Sequence, residues 1–263
     1  MTRHDKGLPV WFELVTADRP ATGRFYESVM EWNVVDDPDP THGGYQVAMA
    51  PDGEATAGLM TPTPGMPLPP GWRVYFGTDD VDRDAGRIAE LGGRVEFGPM
   101  DIPDVGRFLV AVDPQGAGFI LMRRTDGAAP TFDCGEQGRP GHGVWVELAA
   151  PDPDAAIDFY GALLGWSKQG AMPMGDMGEY AFVGWAEKDC PGAVMSSTLT
   201  GAPVRWNWYV QVPDIDAAVA RATAGGGALV QGPDQIPGGS YSAALTDPEG
   251  NAFGLVGPRA EAA

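Results

Sequence analysis

One fixed offset constrains this chain more than any other feature. Trp11-Phe12-Glu13-Leu14 returns 134 residues later as Trp145-Val146-Glu147-Leu148. Phe25-Tyr26 returns as Phe159-Tyr160, Trp32 as Trp166, and Trp72 with Tyr75 as Trp206 with Tyr209. Gly92-Gly93 returns as Gly226-Gly227, Ile102-Pro103 as Ile236-Pro237, and Asp113-Pro114-x-Gly116 as Asp247-Pro248-x-Gly250. Rare residues do not recur in order at one spacing by chance, so the chain is two copies of one domain. Residues 1–128 and 138–263 form the expected domains, joined by a Gly/Ala/Pro linker. A length of 263 residues suits two cores of this size.

Each copy contains a subtler half-repeat, in which a strand-like run ends at an aspartate and a helix-like run follows. The helices are expected to start near Asp18, Asp80, Asp152 and Asp214, where a carboxylate can accept the free N–H groups of a first turn. Ala21, Phe25 and Val29 recur at helical spacing, as do Ala156, Phe159, Tyr160 and Leu163. Pro20 and Pro153 fall in the first turn, where proline costs no hydrogen bond. Short runs rich in Val, Phe, Tyr and Met follow, among them Gly44–Ala50, Arg94–Phe97, Phe108–Val112 and Phe119–Met122. With 38 Gly and 25 Pro, turns are frequent and strands short. The expected fold class is α+β, four βαβββ modules in one chain.

Charge narrows the partners. The 17 basic and 36 acidic residues leave a net charge of −19. The excess is spread evenly, with 11 basic and 20 acidic residues up to position 131 and 6 and 16 beyond it. Polyphosphate needs a basic face, so a nucleic-acid partner is not expected. An anionic membrane surface is disfavoured on the same ground, and no apolar run approaches a membrane span. The N-terminus has no signal-peptide pattern. Cys134 and Cys190 are too few for a disulfide framework, so a cytoplasmic protein is expected.

The ordered motifs resemble those of the vicinal oxygen chelate superfamily, which includes glyoxalase I, bleomycin-resistance proteins and extradiol dioxygenases. The resemblance is carried by Trp11 to Tyr26 and Trp145 to Tyr160, by the Asp79-to-Gly93 run, and by Asp113–Gly116 with Asp247–Gly250. The tandem layout is similar to the two-domain glyoxalase-like proteins of actinobacteria. This resemblance implies that each pair of modules forms a U-shaped sheet around a ligand-holding cup.

It also implies where metal-dependent members carry their ligands. Fourteen residues before the Phe of Phe-Tyr stand Trp11 and Trp145. Nineteen before Gly-Gly stand Arg73 and Asn207, and seven after the Asp of Asp-Pro stand Ile120 and Gly254. The remaining ligand would come from Ala57–Met60 or Gly192–Met195, and neither stretch has a carboxylate or imidazole. Trp and Ile cannot ligate a metal, and Arg carries a charge that opposes one. His4, His42 and His142 sit before strands or in a loop and do not restore the set. No metal and no other cofactor is expected.

Strand alternation then places side chains. Phe12, Leu14, Val146 and Leu148 are expected to pack under helices, with Trp11, Glu13, Trp145 and Glu147 on the opposite, cup face. Val74 and Phe76 go inward, leaving Arg73 and Tyr75 in the first cup and Asn207 and Tyr209 in the second. The two cups would thus differ in charge. Glu13 and Glu147, shielded beside indole and phenol, suit general acid or base work, with Tyr75 and Tyr209 as hydrogen-bond donors. Glu13 equally suits a structural bond to Arg73 or to backbone. Trp11, Arg73, Trp145 and Asn207 are the candidate ligand contacts. Met172, Met174 and Met177 cluster in an expected loop, Gln169–Glu179, as an adaptable mouth or as plain loop packing. Tyr180, after that loop, is placed to reach the second cup.

The reading is a metal-free protein that binds a small, largely apolar or aromatic molecule, for sequestration or for cofactor-independent acid–base chemistry. Two others stay open: a metal-dependent glyoxalase-type lyase or dioxygenase, and an interaction protein with vestigial cups. A monomer or a homodimer suits the duplicated chain.

Overall fold

The computed structural model describes residues 5–39, 42–63, 65–66, 68–125, 127, 130–134, 138–185 and 191–260. His4 and Cys190 lie outside them. The four modules follow one plan. The first holds β1 (Pro9–Val15), α1 (Arg19–Met30), β2 (Asn33–Asp36), β3 (Gln46–Met49) and β4 (Ala55–Met60). The second holds β5 (Gly71–Gly77), α2 (Val81–Glu90), β6 (Arg94–Ile102), β7 (Gly106–Val112) and β8 (Gly118–Arg124). The third holds β9 (Gly143–Ala150), α3 (Pro153–Leu164), β10 (Ser167–Pro173), β11 (Glu179–Gly184), β12 (Gly192–Ser196) and the short α4 (Ser197–Thr200). The fourth holds β13 (Arg205–Gln211), α5 (Ile215–Ala224), β14 (Ala228–Gln235), β15 (Tyr241–Thr246) and β16 (Ala252–Gly257).

The first sheet takes β2-β3-β4-β1 from one module and β5-β8-β7-β6 from the next, eight strands in all. The second repeats this with β10-β11-β12-β9 and β13-β16-β15-β14. In every module the opening strand runs parallel to the last one, as β1 does to β4 and β13 to β16, and the rest is antiparallel. The helix crossover makes that parallel pair possible. No helix among the described residues is long and apolar enough to cross a membrane.

All four expected helix starts are observed. Asp18 accepts from Ala21 N, Asp80 from Arg83 N, Asp152 from Ala155 N, and Asp214 from Asp216 N and Ala217 N. The inward positions are also as expected, with Phe12, Leu14, Val74, Phe76, Val146 and Leu148 buried. The loop expected at Gln169–Glu179 is shorter than its composition suggested. Met172 belongs to β10, and a single 3-10 turn, Gly175–Met177, follows. An edge strand tolerates the Gly170 and Pro173 that looked like loop residues.

The chain divides into two compact units that do not follow the repeat. Unit 1 comprises residues 1–10, 73–130 and 146–206, so it unites the second module with the third. Unit 2 comprises 11–72, 131–145 and 207–263, uniting the first with the fourth. The recurring motifs explain this crossing. In unit 2, Tyr26 on α1 donates to Asp247 Oδ2 at 3.1 Å and accepts from Trp72 Nε1 at 2.8 Å. Asp247 Oδ1 accepts the N–H groups of Glu249 and Asn251, and Asn251 Nδ2 donates to Oδ2. In unit 1, Tyr160 donates to Asp113 Oδ2 at 3.1 Å and accepts from Trp206 Nε1 at 2.9 Å. Asp113 Oδ1 takes the N–H groups of Gln115 and Ala117. The Tyr of Phe-Tyr in one repeat is therefore bonded to the Asp of Asp-Pro in the other. Arg221 reaches Val29 O in unit 2 as Arg87 reaches Ala162 O in unit 1. Burial and the neighbouring aspartate raise the ionisation of both phenols well above its ordinary range.

Candidate functional site: two glutamate–tyrosine pairs

Each unit buries one glutamate on the opening strand of a repeat. Glu13 is 6 % exposed and Glu147 is 7 % exposed. A carboxylate this buried needs a hydrogen-bond donor, and in both units a tyrosine supplies one. In unit 2, Tyr45 donates to Glu13 Oε2 at 3.0 Å, and Trp11 Nε1 donates to the Tyr45 oxygen at 2.8 Å. In unit 1, Tyr180 on β11 donates to Glu147 Oε2 at 2.7 Å. Burial first, and then the charge of Glu13, push the Tyr45 hydroxyl well above the ordinary tyrosine range. It keeps its proton at neutral pH and acts as a hydrogen-bond donor.

Register sets what lies beside each glutamate. Glu13 pairs with Gly58 on β4, and Gly58 with Val47 on β3. A Cβ on Gly58 would fall inside the Tyr45 hydroxyl, so the phenol lies across the bare backbone there. Glu147 pairs with Ala193 on β12, and Ala193 with Phe182 on β11. A methyl group thus stands where unit 2 has the Tyr45 phenol. Paired residues share a sheet face, which puts Phe182, Tyr180 and Glu147 on one side, with Met172 opposite Tyr180 on β10.

Of the sequence-derived candidates, Trp11, Glu13, Trp145, Asn207 and Tyr209 belong to unit 2, and Arg73, Tyr75, Glu147, Met174 and Tyr180 to unit 1. The structure joins Trp11 to Glu13 through Tyr45, and Tyr180 to Glu147 directly. Tyr75 on β5 stands opposite Ile120 on β8, and is buried. Tyr209 on β13 stands opposite Gly254 on β16, and its ring covers the place a side chain there would take. Met174 closes the turn after β10, its N–H on Gly178 O.

Two functional candidates escaped the sequence reading. Tyr45 is the counterpart of Tyr180, but a one-residue insertion shifts it off the 134 offset. Arg205 lies two positions before Asn207 on β13, on the same strand face. Glu147 attracts its guanidinium, whose charge is opposed chiefly by burial. Arg205 belongs to unit 1 with Arg73 and Glu147, whereas Asn207 belongs to unit 2 with Glu13, so the crossing of the repeats groups these residues differently from the expected first and second cups.

The donor set at the positions that metal-dependent relatives use does not fit an ion. The Trp11 N–H is committed to Tyr45, Ile120 is an enclosed alkyl group, and Gly254 has no side chain. Among the described residues, one other cluster, Asp52, Glu54 and His142, brings three ligand atoms within 4.8 Å of one another. Arg139 Nη1 already lies 2.9 Å from Asp52 and 3.0 Å from Glu54, so a guanidinium holds the place of a cation. His142 is fully enclosed, with Nε2 on Asp52 and Nδ1 on Thr131 O. His42 bonds Asp37, and Cys134 is half-buried. A groove of about 460 Å³ between α3 and the start of β10, lined by Asp154, Asp158, Trp166 and Lys168 among others, contains none of the candidates.

Duplicated βαβββ modules, each with its first and last strands parallel, define a tandem glyoxalase-like fold. Residues 9–121 match the model of the Glyoxalase/Bleomycin resistance protein/Dioxygenase superfamily, and residues 145–256 that of the Glyoxalase-like domain. The chain is 33 % identical over 261 residues to "Putative glyoxylase CFP32" of Mycobacterium tuberculosis, covering 98 % of this chain and 97 % of the relative. It is 35 % identical over 277 residues to "Anthracycline biosynthesis protein DnrV" of Streptomyces peucetius, covering 97 % and 95 %. Among solved structures, the Mn(II)-bound glyoxalase from Novosphingobium aromaticivorans has a TM-score of 0.65 at 16 % identity, covering 99 % and 84 %. Homoprotocatechuate 2,3-dioxygenase from Arthrobacter globiformis has a TM-score of 0.68 at 14 % identity, covering 97 % and 80 %. The chain belongs to the glyoxalase/bleomycin resistance protein/dioxygenase superfamily.

Proposed function

We propose that the protein binds a small, planar, largely apolar or aromatic organic molecule in the cytoplasm, and that its glutamate–tyrosine pairs handle a proton on that molecule without a metal. One observation carries this reading: the same buried carboxylate–phenol bond is built in both units. A carboxylate that accepts from a phenol is held in one orientation, as a general base must be. The phenol can in turn give a hydrogen bond to a carbonyl or phenolate as charge develops there. Trp11 and Tyr45 orient Glu13, and Arg205 balances the charge of Glu147. Tyr75 and Tyr209 remain proposed catalytic hydrogen-bond donors, and Trp145, Arg73, Asn207 and Met174 proposed ligand contacts, in domains spanning 1–128 and 138–263.

The chemistry of the residues beside Glu147 supports an apolar, flat guest, since Met172, Phe182 and Tyr180 share its sheet face. A relative named for anthracycline biosynthesis, a fused-ring class of compound, supports the same guest.

The test pairs Glu13→Gln and Glu147→Gln with binding of a hydroxyanthraquinone probe followed by tryptophan quenching, and with a metal assay on the native protein. The expected result is probe binding within a few-fold of wild type in both variants, loss of proton exchange or turnover in one of them, and no stoichiometric metal. Stoichiometric manganese, nickel, zinc or iron that leaves together with activity would overturn the metal-free reading. Absence of probe binding to the wild type would overturn the choice of guest.

A further inference from the structure

Large apolar side chains left in water mark a contact surface where they gather beside a site. In unit 1, Met172 is 37 % exposed, Met177 45 % and Leu199 56 %. Met177 lies in the turn that joins β10 to β11, and Met174 opens that turn. Leu199 comes from α4 and leans on the same turn, since a Cβ on Gly178 would fall 2.9 Å from its Cδ1. Ser196 holds α4 in place, its hydroxyl accepting from Leu199 N at 3.3 Å.

Register ties this collar to the glutamate. Glu147, Ala193, Phe182 and Gly170 form one row across β9, β12, β11 and β10. Met172 and Tyr180 form the row two residues further out, about 7 Å away along the strands, and Tyr180 reaches back to bond Glu147. The turn with Met177 lies beyond that row, and β12, which carries Ala193, runs directly into α4. Unit 2 is built otherwise. The stretch between its β2 and β3, Asp37-Pro38-Asp39-Pro40-Thr41-His42-Gly43-Gly44, holds no methionine. Among the described residues no helix follows β4 before β5.

We infer that Met172, Met177 and Leu199 form a second, apolar subsite of unit 1, and that the guest it takes is a fused-ring aromatic whose far rings extend from Glu147 out over this collar. The inference rests on the reading that the guest meets the glutamate–tyrosine pair. A single ring beside Glu147 leaves the collar in water, whereas a longer ring system covers it. Thioethers and a leucine suit that task, because they adapt to a flat apolar edge and ask it for no hydrogen bond. The subsite thus selects by length, and unit 2 lacks its methionines and its helix.

Two probes test this on the full chain: alizarin and catechol, which present the same vicinal hydroxyl pair on three fused rings and on one. Tryptophan quenching gives both Kd values. Leu199→Asp and Met177→Glu are expected to raise the alizarin Kd about ten-fold relative to the catechol Kd, the effect of one lost apolar contact. Leu229→Asp, an exposed leucine in unit 2, is expected to leave the ratio unchanged. Mass spectrometry locates the guest independently. Dilute hydrogen peroxide converts an exposed thioether to the sulfoxide and is itself reduced to water. Saturating alizarin is expected to slow oxidation of Met172 and Met177 several-fold and to leave Met100, 38 % exposed on β6, as reactive as before. Failure of the wild type to bind either probe overturns the proposed guest and the subsite with it. Alizarin binding whose ratio to catechol survives both unit 1 substitutions, or which leaves Met172 and Met177 unprotected, overturns the subsite alone.

Discussion

The two units differ in an instructive way. Their locks are nearly superimposable in chemistry: a buried tyrosine between an indole N–H and an Asp-Pro carboxylate, Tyr26 with Trp72 and Asp247 in one, Tyr160 with Trp206 and Asp113 in the other. Their glutamate sites share the phenol–carboxylate bond. Around that bond, Gly58 is replaced by Ala193, and the positive charge beside Glu147 comes from Arg205, whose repeat counterpart is Gly71. Residues that recur with the same partners hold the repeats together. Those that diverge around a shared bond make the two sites chemically different.

The largest expected effects fall on the locks. Asp247→Ala leaves the Tyr26 hydroxyl, two backbone N–H groups and the Asn251 amide without their acceptor. Each buried donor left unsatisfied costs roughly 1–3 kcal/mol, so the loss is about 4 kcal/mol once relaxation is allowed. Asp113→Ala lacks the amide and should cost about 3 kcal/mol. Urea unfolding midpoints measure both. Equal losses would mean that the Asn251 amide adds nothing and that the two locks are one device.

The glutamate floors come next. Gly58→Ala puts a methyl group where the Tyr45 hydroxyl lies, and should cost about 2 kcal/mol by overpacking while breaking the bond to Glu13. Ala193→Gly makes the reverse change in unit 1 and should cost about 1 kcal/mol, from lost burial and a freer unfolded backbone. A Gly58→Ala variant as stable as wild type, with Trp11 fluorescence unchanged, would show that the two floors are interchangeable and remove the contrast between the sites.

Alkaline titration probes locks and sites together. Tyr26, Tyr45 and Tyr160 all ionise well above their ordinary value, each mainly because burial disfavours the phenolate. The folded state holds these protons more tightly than the unfolded one. The stability they contribute is fully present below pH 10 and is lost as pH rises through the folded values. Absorbance at 295 nm should show at least three of the seven tyrosines ionising only with unfolding. Tyr45→Phe should remove one of them, and a reversible titration of all seven in the folded protein would contradict the enclosure of all three.

Much of this was legible in the sequence because it is local. Asp18, Asp80, Asp152 and Asp214 begin helices by reaching two or three residues ahead, and alternation sends Phe12, Leu14, Val146 and Leu148 inward. The crossed units were not legible. Tyr26 meets Asp247 across 221 residues, and partner choice at that distance leaves no periodic trace. Tyr45 was hidden by a single inserted residue, and Arg205 by comparing Arg73 with Asn207 column by column when a strand face also admits the residue two positions away. Gly170 and Pro173 read as loop because composition cannot tell a turn from an edge strand.

The smallest effect tests the entrance strands of the two repeats. Their backbones match: Leu8 N donates to Asp5 O as His142 N donates to Arg139 O, and Gly7 and Gly141 bond Gly77 and Gln211 alike. Their side chains do not, since Leu8 stands where the second repeat has His142. The carboxyl of Asp52, which burial pushes up, is held below its ordinary 3.8 by the Glu54 N–H, by His142 and by Arg139. A depressed carboxyl contributes stability above that ordinary value and loses it as pH falls through the folded one. Asp52 is about a third exposed, so solvent screening keeps the contribution to about 1 kcal/mol or less. His142→Leu, which copies unit 1 into unit 2, should therefore cost about 1 kcal/mol or less at neutral pH and flatten the fall in urea midpoint below pH 4. A variant more stable than wild type would mean that enclosing the imidazole beside Asp52 costs more than its two hydrogen bonds return, and that the leucine entrance is the better-packed solution of the two.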